Sequence, residues 1–193
     1  MPVGDCQREF GAAAAKDGIN LSAQAFSWLC QQGHSALPED SAARETLRRI
    51  YIALDGDEAV LAAGRTTRLT GDFVHEPTGT LIEIDESQHF TTARLTTLDH
   101  YPDSLALGFS LDSYKALCRR HREKSDRYRA AKEARGFGPG GRTRQRAYYD
   151  ALRDVATPAM GHPPLVRIDA AHGNGAAAYG AHRDRLLSLL GLA

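Results

Sequence analysis

The chain has 193 residues, of which 42% are hydrophobic and 25% are charged, and this is the composition of an ordinary folded protein. No tract approaches the length of a membrane-spanning helix, so we expect no membrane partner. The N-terminus has no basic region followed by an apolar stretch, and the three cysteines (Cys6, Cys30 and Cys118) form no C-x-x-C pair. We therefore expect a cytoplasmic protein without a secretory signal, a zinc knuckle or a disulfide framework.

The net charge of zero hides a strong asymmetry along the chain. Residues 1–114 carry eight Lys/Arg against seventeen acids, a net charge of −9, whereas residues 115–153 carry thirteen Lys/Arg against four acids, a net charge of +9. This division suits a protein that binds a polyanion through one part and a metal through the other. The alternative is that the two halves neutralise each other across a solvated surface, and charge alone leaves both open.

Helical patterns dominate the first third of the chain. Residues 5–33 predict one or two short helices, the second over residues 22–32, and residues 41–54 predict an amphipathic helix with Ser41 as its N-cap. Asp55-Gly56-Asp57 breaks that helix, and residues 60–63 form a weak strand candidate.

A hairpin is the best-defined local structure. The candidate strands 67–74 and 80–85 flank Glu76-Pro77-Thr78-Gly79. Proline at the second position and glycine at the fourth favour a type I turn. We therefore expect two antiparallel strands here.

The second half predicts further helices and one late strand. The expected helices cover residues 91–98, 111–134 as one helix or a pair, a segment through residue 153, and 182–190. The late strand covers residues 165–168. A glycine-rich stretch at 136–141 precedes the basic patch at 142–146.

The basic residues of this half are candidates for contacts with nucleic-acid phosphates, with Tyr148 and Tyr149 as stacking surfaces. The alternative is a solvated helix start with both tyrosines packed in the core. The candidate phosphate contacts are Arg142, Arg144, Arg146, Arg153, Lys115 and Arg119.

The hairpin brings acidic residues together. With the turn centred between Pro77 and Thr78, Asp72 faces Glu83, and the alternation of a strand places Asp85 on the same face as Glu83. Three converging carboxylates repel one another unless a cation neutralises them, and Mg²⁺ (or Mn²⁺) suits such oxygens. The alternative is an acidic strand face whose carboxylates are merely solvated.

The residues of this hairpin resemble a known family. Gly71-Asp72-Phe73, a short turn and Leu81-Ile82-Glu83-Ile84-Asp85-Glu86-Ser87-Gln88-His89 resemble the core of the PD-(D/E)xK restriction-endonuclease-like superfamily. They are most similar to the branch near the very-short-patch-repair endonucleases, with its pattern D-F … E-x-D-G-x-x-H. Glu86 stands where that pattern has glycine, and no lysine lies in the motif. The balancing positive charge is therefore expected from Arg94, Arg153 or the basic segment.

The resemblance implies a metal-dependent DNA endonuclease. It also implies an α/β fold with a central mixed sheet flanked by helices. The whole chain would form a single domain, made of N-terminal helices (1–35), a nuclease-like core (36–102), a basic helical insertion (103–147) and a segment that completes the core and ends in a helix (148–193). The implied catalytic residues are Asp72, Glu83, Asp85, Gln88 and His89. Among them, His89 would act as general base or contact the substrate. The implied metal ligands are Asp72, Glu83 and Glu45.

Two other functions remain open from the sequence. One is a non-catalytic module with the same fold, which would bind nucleic acid or have a regulatory role. The other is a protein-interaction domain in which acidic and basic halves pair between the subunits of a homodimer.

Overall fold

The computed structural model describes residues 4–192, so residues 1–3 and 193, at the ends of the predicted terminal segments, lie outside the described part. Within it are two short 3-10 helices (Gly33–Ala36 and Ser87–His89), three strands and seven α-helices. The strands are β1 (Phe73–His75), β2 (Thr80–Glu86) and β3 (Val166–Ala170). The α-helices are α1 (Asp5–Lys16), α2 (Ala42–Ala53), α3 (Glu58–Ala62), α4 (Thr92–Asp99), α5 (Leu111–Ser125), α6 (Arg142–Ala159) and α7 (Gly175–Leu189).

The three strands form one mixed sheet in the order β1-β2-β3. β1 and β2 are antiparallel, and Gly79 at the end of their turn adopts a φ of +68°, which glycine tolerates without strain. β3 lies parallel to β2 on its other side, after a long connection that contains α4, α5 and α6. The fold is therefore mixed α/β, as predicted.

Helices cover both faces of this sheet. Ile82 and Ile84 of β2 pack with Val166 and Ile168 of β3 in an apolar cluster that includes side chains of α1 and α7. Leu81 belongs to a second cluster formed mainly with α2, α4 and α6. Because side chains alternate along a strand, the same sheet face that looks toward α6 also receives the charged residues of β2 and β3.

Several predicted elements are confirmed. α2 begins after Ser41 and ends at Ala53, and α4 begins after Thr91, whose hydroxyl accepts a hydrogen bond from the Arg94 N–H. β2 and β3 fall within a residue or two of their predicted bounds. These are the segments where local pattern and capping agree.

Other predicted elements are wrong in extent or type. The helix expected at residues 22–32 does not form, because Ser22 and Cys30 make β-bridges to Val74 and Arg68. Residues 60–63 belong largely to the short helix α3 instead of a strand, and the helix predicted to reach residue 134 stops at Ser125.

Two further features complete the description. The basic patch at 142–146 is the first turn of α6 itself. Among the described helices, none is both long and apolar enough to cross a bilayer.

Candidate active site

The hairpin register brings Asp72 beside Glu83. Phe73 pairs with Ile82 and Val74 with Leu81, so the next opposed pair is Asp72 and Glu83, and the predicted register is confirmed. The backbone N–H of Asp72 donates to Glu83 Oε1 at 3.2 Å. The Oδ2 of Asp72 accepts the backbone N–H of Ile84 at 2.8 Å. Both side chains are thus fixed at the end of the hairpin.

These two carboxylates line a cleft of about 490 Å³ between the sheet, α3 and α6. The other acidic and basic side chains lining the cleft are His89, Asp150, Arg135, Arg142, Arg146 and Arg153. The cleft therefore combines acids with arginines, which is the charge pattern expected of a site that meets both a cation and a phosphate.

Burial changes the titration of both hairpin acids. Desolvation raises the pKa of Asp72, against the hydrogen bond from the Ile84 N–H. Desolvation also raises the pKa of Glu83 to about 7, although the nearby Arg153 opposes the rise. The surrounding protein therefore under-compensates the negative charge of these carboxylates, which favours the approach of a cation.

Asp85 has a different environment, and the structure does not bring it to the cleft beside Asp72 and Glu83. Its two oxygens accept from Arg167 Nη1 at 2.9 and 2.8 Å, and Tyr114 Oη donates to Oδ2 at 2.8 Å. Burial alone would raise the pKa of Asp85, but Arg167 and His89 outweigh burial and lower the pKa. Asp85 is fully buried and does not line the cleft. The physical reason is the parallel register, which places Arg167 opposite Glu83 and on the same face as both acids.

Arg167 continues into a buried network. Its Nε donates to Asp154 Oδ1 at 2.7 Å. Arg94 Nη2 and Tyr101 Oη donate to Asp154 Oδ2 at 2.5 and 2.6 Å. Arg94 is therefore engaged with Asp154 and does not balance the cleft acids. The network ties β2 and β3 to α4 and α6, and every member has a partner, as a buried polar network requires.

His89 lies at the boundary between this network and the cleft. Its Nδ1 lies 2.9 Å from Asp150 Oδ2 and 3.3 Å from Asp85 Oδ1. Burial lowers the pKa of His89, but Asp150 and Asp85 outweigh burial, and the net pKa is raised. Burial likewise opposes ionisation of Asp150, but His89 and Arg167 outweigh it and lower that pKa. The pair therefore favours an imidazolium beside a carboxylate, with Nε2 left for the cleft that His89 lines.

Asp85, His89 and Asp150 are also the one group of three or more potential metal ligands in the described chain whose ligand atoms all lie within 4.8 Å of one another. Both oxygens of Asp85 already accept from Arg167, and a cation placed there would meet that guanidinium. This cluster therefore fits an ion-paired histidine better than a metal site. Sequence analysis did not identify Asp150 as a site residue, because this acid lies within a run of basic residues on α6.

One face of α6 lines the cleft. Arg142, Arg146, Tyr149 and Arg153 follow the three- and four-residue spacing of a helical face. Arg153 Nε lies 3.3 Å from Glu83 Oε1. Arg153 is thus the expected balancing positive charge, and three of the six predicted phosphate contacts reach the cleft.

The structure does not bring the predicted metal ligand Glu45 or the predicted catalytic residue Gln88 to the cleft. Glu45 is exposed on α2, where its carboxylate lies 4.0 Å from Arg49 of the same helix. Its helix position points outward because the apolar stripe of α2 occupies the inner face. Gln88 lines a separate depression with Lys124 and Tyr128.

The remaining predicted phosphate contacts also lie outside the cleft. Arg144 Nη1 donates to Asp55 Oδ2 at 3.0 Å, and Lys115 Nζ lies 2.9 Å from Asp99. Arg119 is exposed on α5. Tyr148 is fully buried in the core, so the stacking role predicted for it is wrong.

The fold and the cleft thus define a mixed α/β protein with a candidate active site between its sheet and α6. The sequence profile of a family of unknown function (DUF7255) matches residues 49–188, and the chain belongs to that family. The matched segment contains Asp72, Glu83, His89 and Asp150 but not Glu45. No curated protein and no solved structure matches the chain.

Proposed function

We propose that this protein is a divalent-metal-dependent nuclease that hydrolyses phosphodiester bonds of DNA in the cleft. We also propose that the hairpin, α6 and β3 are the core of a restriction-endonuclease-like fold. The support for the fold is the arrangement itself: an antiparallel hairpin that carries the acids, then a crossover ending in α6, then a strand parallel to β2.

The observation that carries the functional proposal is the fixed position of Asp72 and Glu83 in the cleft, together with the raised pKa of both carboxyls. Both are fixed by backbone hydrogen bonds at one point of the cleft, and burial raises the pKa of each. Holding buried carboxylates without full compensation costs stability, and such an arrangement is typical of sites that bind a cation. If these acids formed only a solvated strand face, Glu83 would be exposed, whereas it is buried.

The donor set fits a hard divalent cation. Carboxylate oxygens are the ligands that Mg²⁺ and Mn²⁺ prefer, and a cleft of this size leaves room for water and substrate. Asp72 and Glu83 would hold the ion. A bound divalent cation supplies Lewis-acid stabilisation for the charge that develops on a phosphodiester during hydrolysis.

The neighbouring residues have roles that follow from their charge. Asp150 holds the imidazole of His89 by its Nδ1, so that a protonated His89 can donate a proton or a hydrogen bond to a phosphate oxygen from Nε2. Arg146 and Arg153 line the same space and can pair with phosphate oxygens. The raised pKa of His89 favours a donor role over the general base suggested by the motif.

One contact favours a second candidate function. Arg153 Nε lies near Glu83 Oε1, so a guanidinium already provides part of the positive charge that a metal would supply. A module that binds nucleic acid without cleaving it would need no more than this pair. The two functions differ in one measurable property, which is dependence on a divalent cation.

The direct test is cleavage of supercoiled plasmid DNA in Mg²⁺ or Mn²⁺ by the wild type and by Asp72→Asn and Glu83→Gln. We expect metal-dependent nicking that falls by about 100-fold or more in either variant, because losing a metal ion's contribution raises the barrier by several kcal/mol. Glu45→Gln is the matched control: it removes an exposed carboxylate outside the cleft and should retain activity.

Equal nicking by the wild type and by both cleft variants would refute the proposal. DNA binding with a steep salt dependence, but no cleavage with either cation, would support the non-catalytic module instead.

A further inference from the structure

The cleft is small and has a chemically mixed lining. Its volume of about 490 Å³ lies within the range of roughly 300–1,000 Å³ that encloses one small molecule. Asp72 and Glu83 line it together with Arg153, whose Nη2 donates to the Thr70 carbonyl. Apolar side chains, Leu61 and Leu69 among them, line it as well. A space of this size admits one nucleic-acid strand and excludes a double helix.

Tyr149 supplies an aromatic surface within this space. Its hydroxyl donates to the Gln31 carbonyl at 3.2 Å, which fixes the ring, and the half-buried side chain lines the cleft. It lies four residues before Arg153 and seven after Arg142 on α6. At 1.5 Å per residue, the two arginines are separated by about 16 Å along the helix axis, with the ring between them.

Buried polar atoms without partners are concentrated in this cleft. In the described chain, three buried side-chain atoms make no hydrogen bond, namely Gln7 Oε1, Arg142 Nε and Arg153 Nε. All three residues line the cleft. Arg153 Nε has the ion-pair contact with Glu83 Oε1 at 3.3 Å, whereas Arg142 Nε is an unpaired buried guanidinium donor of the kind that pairs well with a phosphate oxygen.

We infer that the cleft accepts single-stranded nucleic acid, with phosphates paired to the arginines of the α6 face and one base stacked on Tyr149. This inference rests on the proposed function and names its substrate class. A positively charged groove interleaved with an aromatic ring is the arrangement by which proteins hold single strands without reading their sequence. Duplex regions remain outside the cleft.

The test is fluorescence anisotropy with a short labelled oligothymidine and with a hairpin duplex of equal charge, in EDTA so that cleavage does not contribute. We expect the single strand to bind at least about tenfold more tightly than the duplex. Tyr149→Leu, which keeps an apolar side chain without the ring, should weaken single-strand binding by about tenfold, whereas Tyr149→Phe should retain it. Arg142→Gln should reduce the slope of log K against log salt by about one, and Arg119→Gln, outside the cleft, should leave affinity unchanged.

Ultraviolet cross-linking provides a second readout, because a thymine stacked on Tyr149 should cross-link to the peptide that contains it. Duplex binding as tight as single-strand binding, or unchanged affinity in Tyr149→Leu, overturns the inference. Single-strand preference without any metal-dependent cleavage supports the inference and refutes the proposed nuclease. Cleavage confined to duplex DNA supports the proposed nuclease and overturns the inference of single-strand binding.

Discussion

Replacing Glu83 by glutamine tests the electrostatics of the cleft directly. Glu83 is buried, and its pKa rises from 4.5 to about 7 because desolvation outweighs the nearby Arg153. A carboxyl with a higher pKa in the folded state than in the unfolded chain destabilises the fold as pH rises. Glutamine has nearly the same shape, keeps an oxygen for the Asp72 N–H, and cannot ionise.

The size of the effect follows from linkage. Below the unfolded pKa of 4.5, Glu83 is protonated in both states and contributes no pH dependence. Between pH 4.5 and about 7 the side chain is ionised in the unfolded chain and still protonated in the folded protein, so the free energy of unfolding falls by roughly 2–3 kcal/mol between about pH 5 and pH 8. The glutamine variant lacks this pH-dependent loss of stability, because its side chain cannot ionise. It should therefore match the wild type near pH 5 and exceed it by that amount near pH 8.

Urea denaturation of both proteins in EDTA, across this pH range, measures the difference. His89 also has a raised pKa, and its favourable contribution is likewise lost as pH rises, but both proteins share that loss. The difference between the two curves therefore reports the ionisation of Glu83 together with its repulsion from Asp72. Adding Mg²⁺ near pH 8 should stabilise the wild type, by about 3 kcal/mol at a hundredfold excess over Kd, and leave Glu83→Gln nearly unchanged. Parallel curves without metal would show that Glu83 keeps an ordinary pKa and would refute the reasoning.

Two further predictions concern the framework that holds the cleft. Arg167→Met should lower the free energy of unfolding, measured by urea denaturation, by about 3–5 kcal/mol. The reason is that Asp85 and Asp154 would stay buried without the guanidinium they share. A loss below about 1 kcal/mol would contradict this. Gly175→Ala should cost roughly 1–3 kcal/mol, since a Cβ there would overlap the backbone of α1. Gly180→Ala, in open space on the same helix, should instead be neutral or stabilising by thermal denaturation.

The hairpin was predictable because its determinants are local. The residues Glu76-Pro77-Thr78-Gly79 select the turn, and the turn fixes the register that opposes Asp72 and Glu83. Alternation then separates the acids of β2 from its isoleucines. The failures at residues 22–32 and 60–63 have the opposite origin, because a bridge to β1 and an Asp57 N-cap decided those segments. Tertiary pairing and side-chain capping override weak local preference there.

The partners of the acids were not predictable, because they come from distant parts of the chain. Arg167 is eighty-two residues from Asp85 and reaches it only through the parallel pairing of β3 with β2. Asp150 meets His89 from α6, sixty-one residues later. A single sequence shows neither contact. Glu45, which the resemblance implied as a metal ligand, shows the converse case, because the resemblance did not specify which face of the preceding helix would look inward.

Glu83 and Asp85 show how such distant partners assign function within a short motif. The two acids lie two residues apart on one strand face, yet the pKa of Glu83 is raised and that of Asp85 is lowered. The difference is Arg167, which bonds both oxygens of Asp85, whereas Arg153 approaches Glu83 from the side of the cleft. In this chain Asp85 is therefore a buried anchor for β3 and does not contact the cleft. It follows that Arg167 is engaged by Asp85, and the positive charge beside Asp72 and Glu83 comes instead from the arginines on the cleft face of α6.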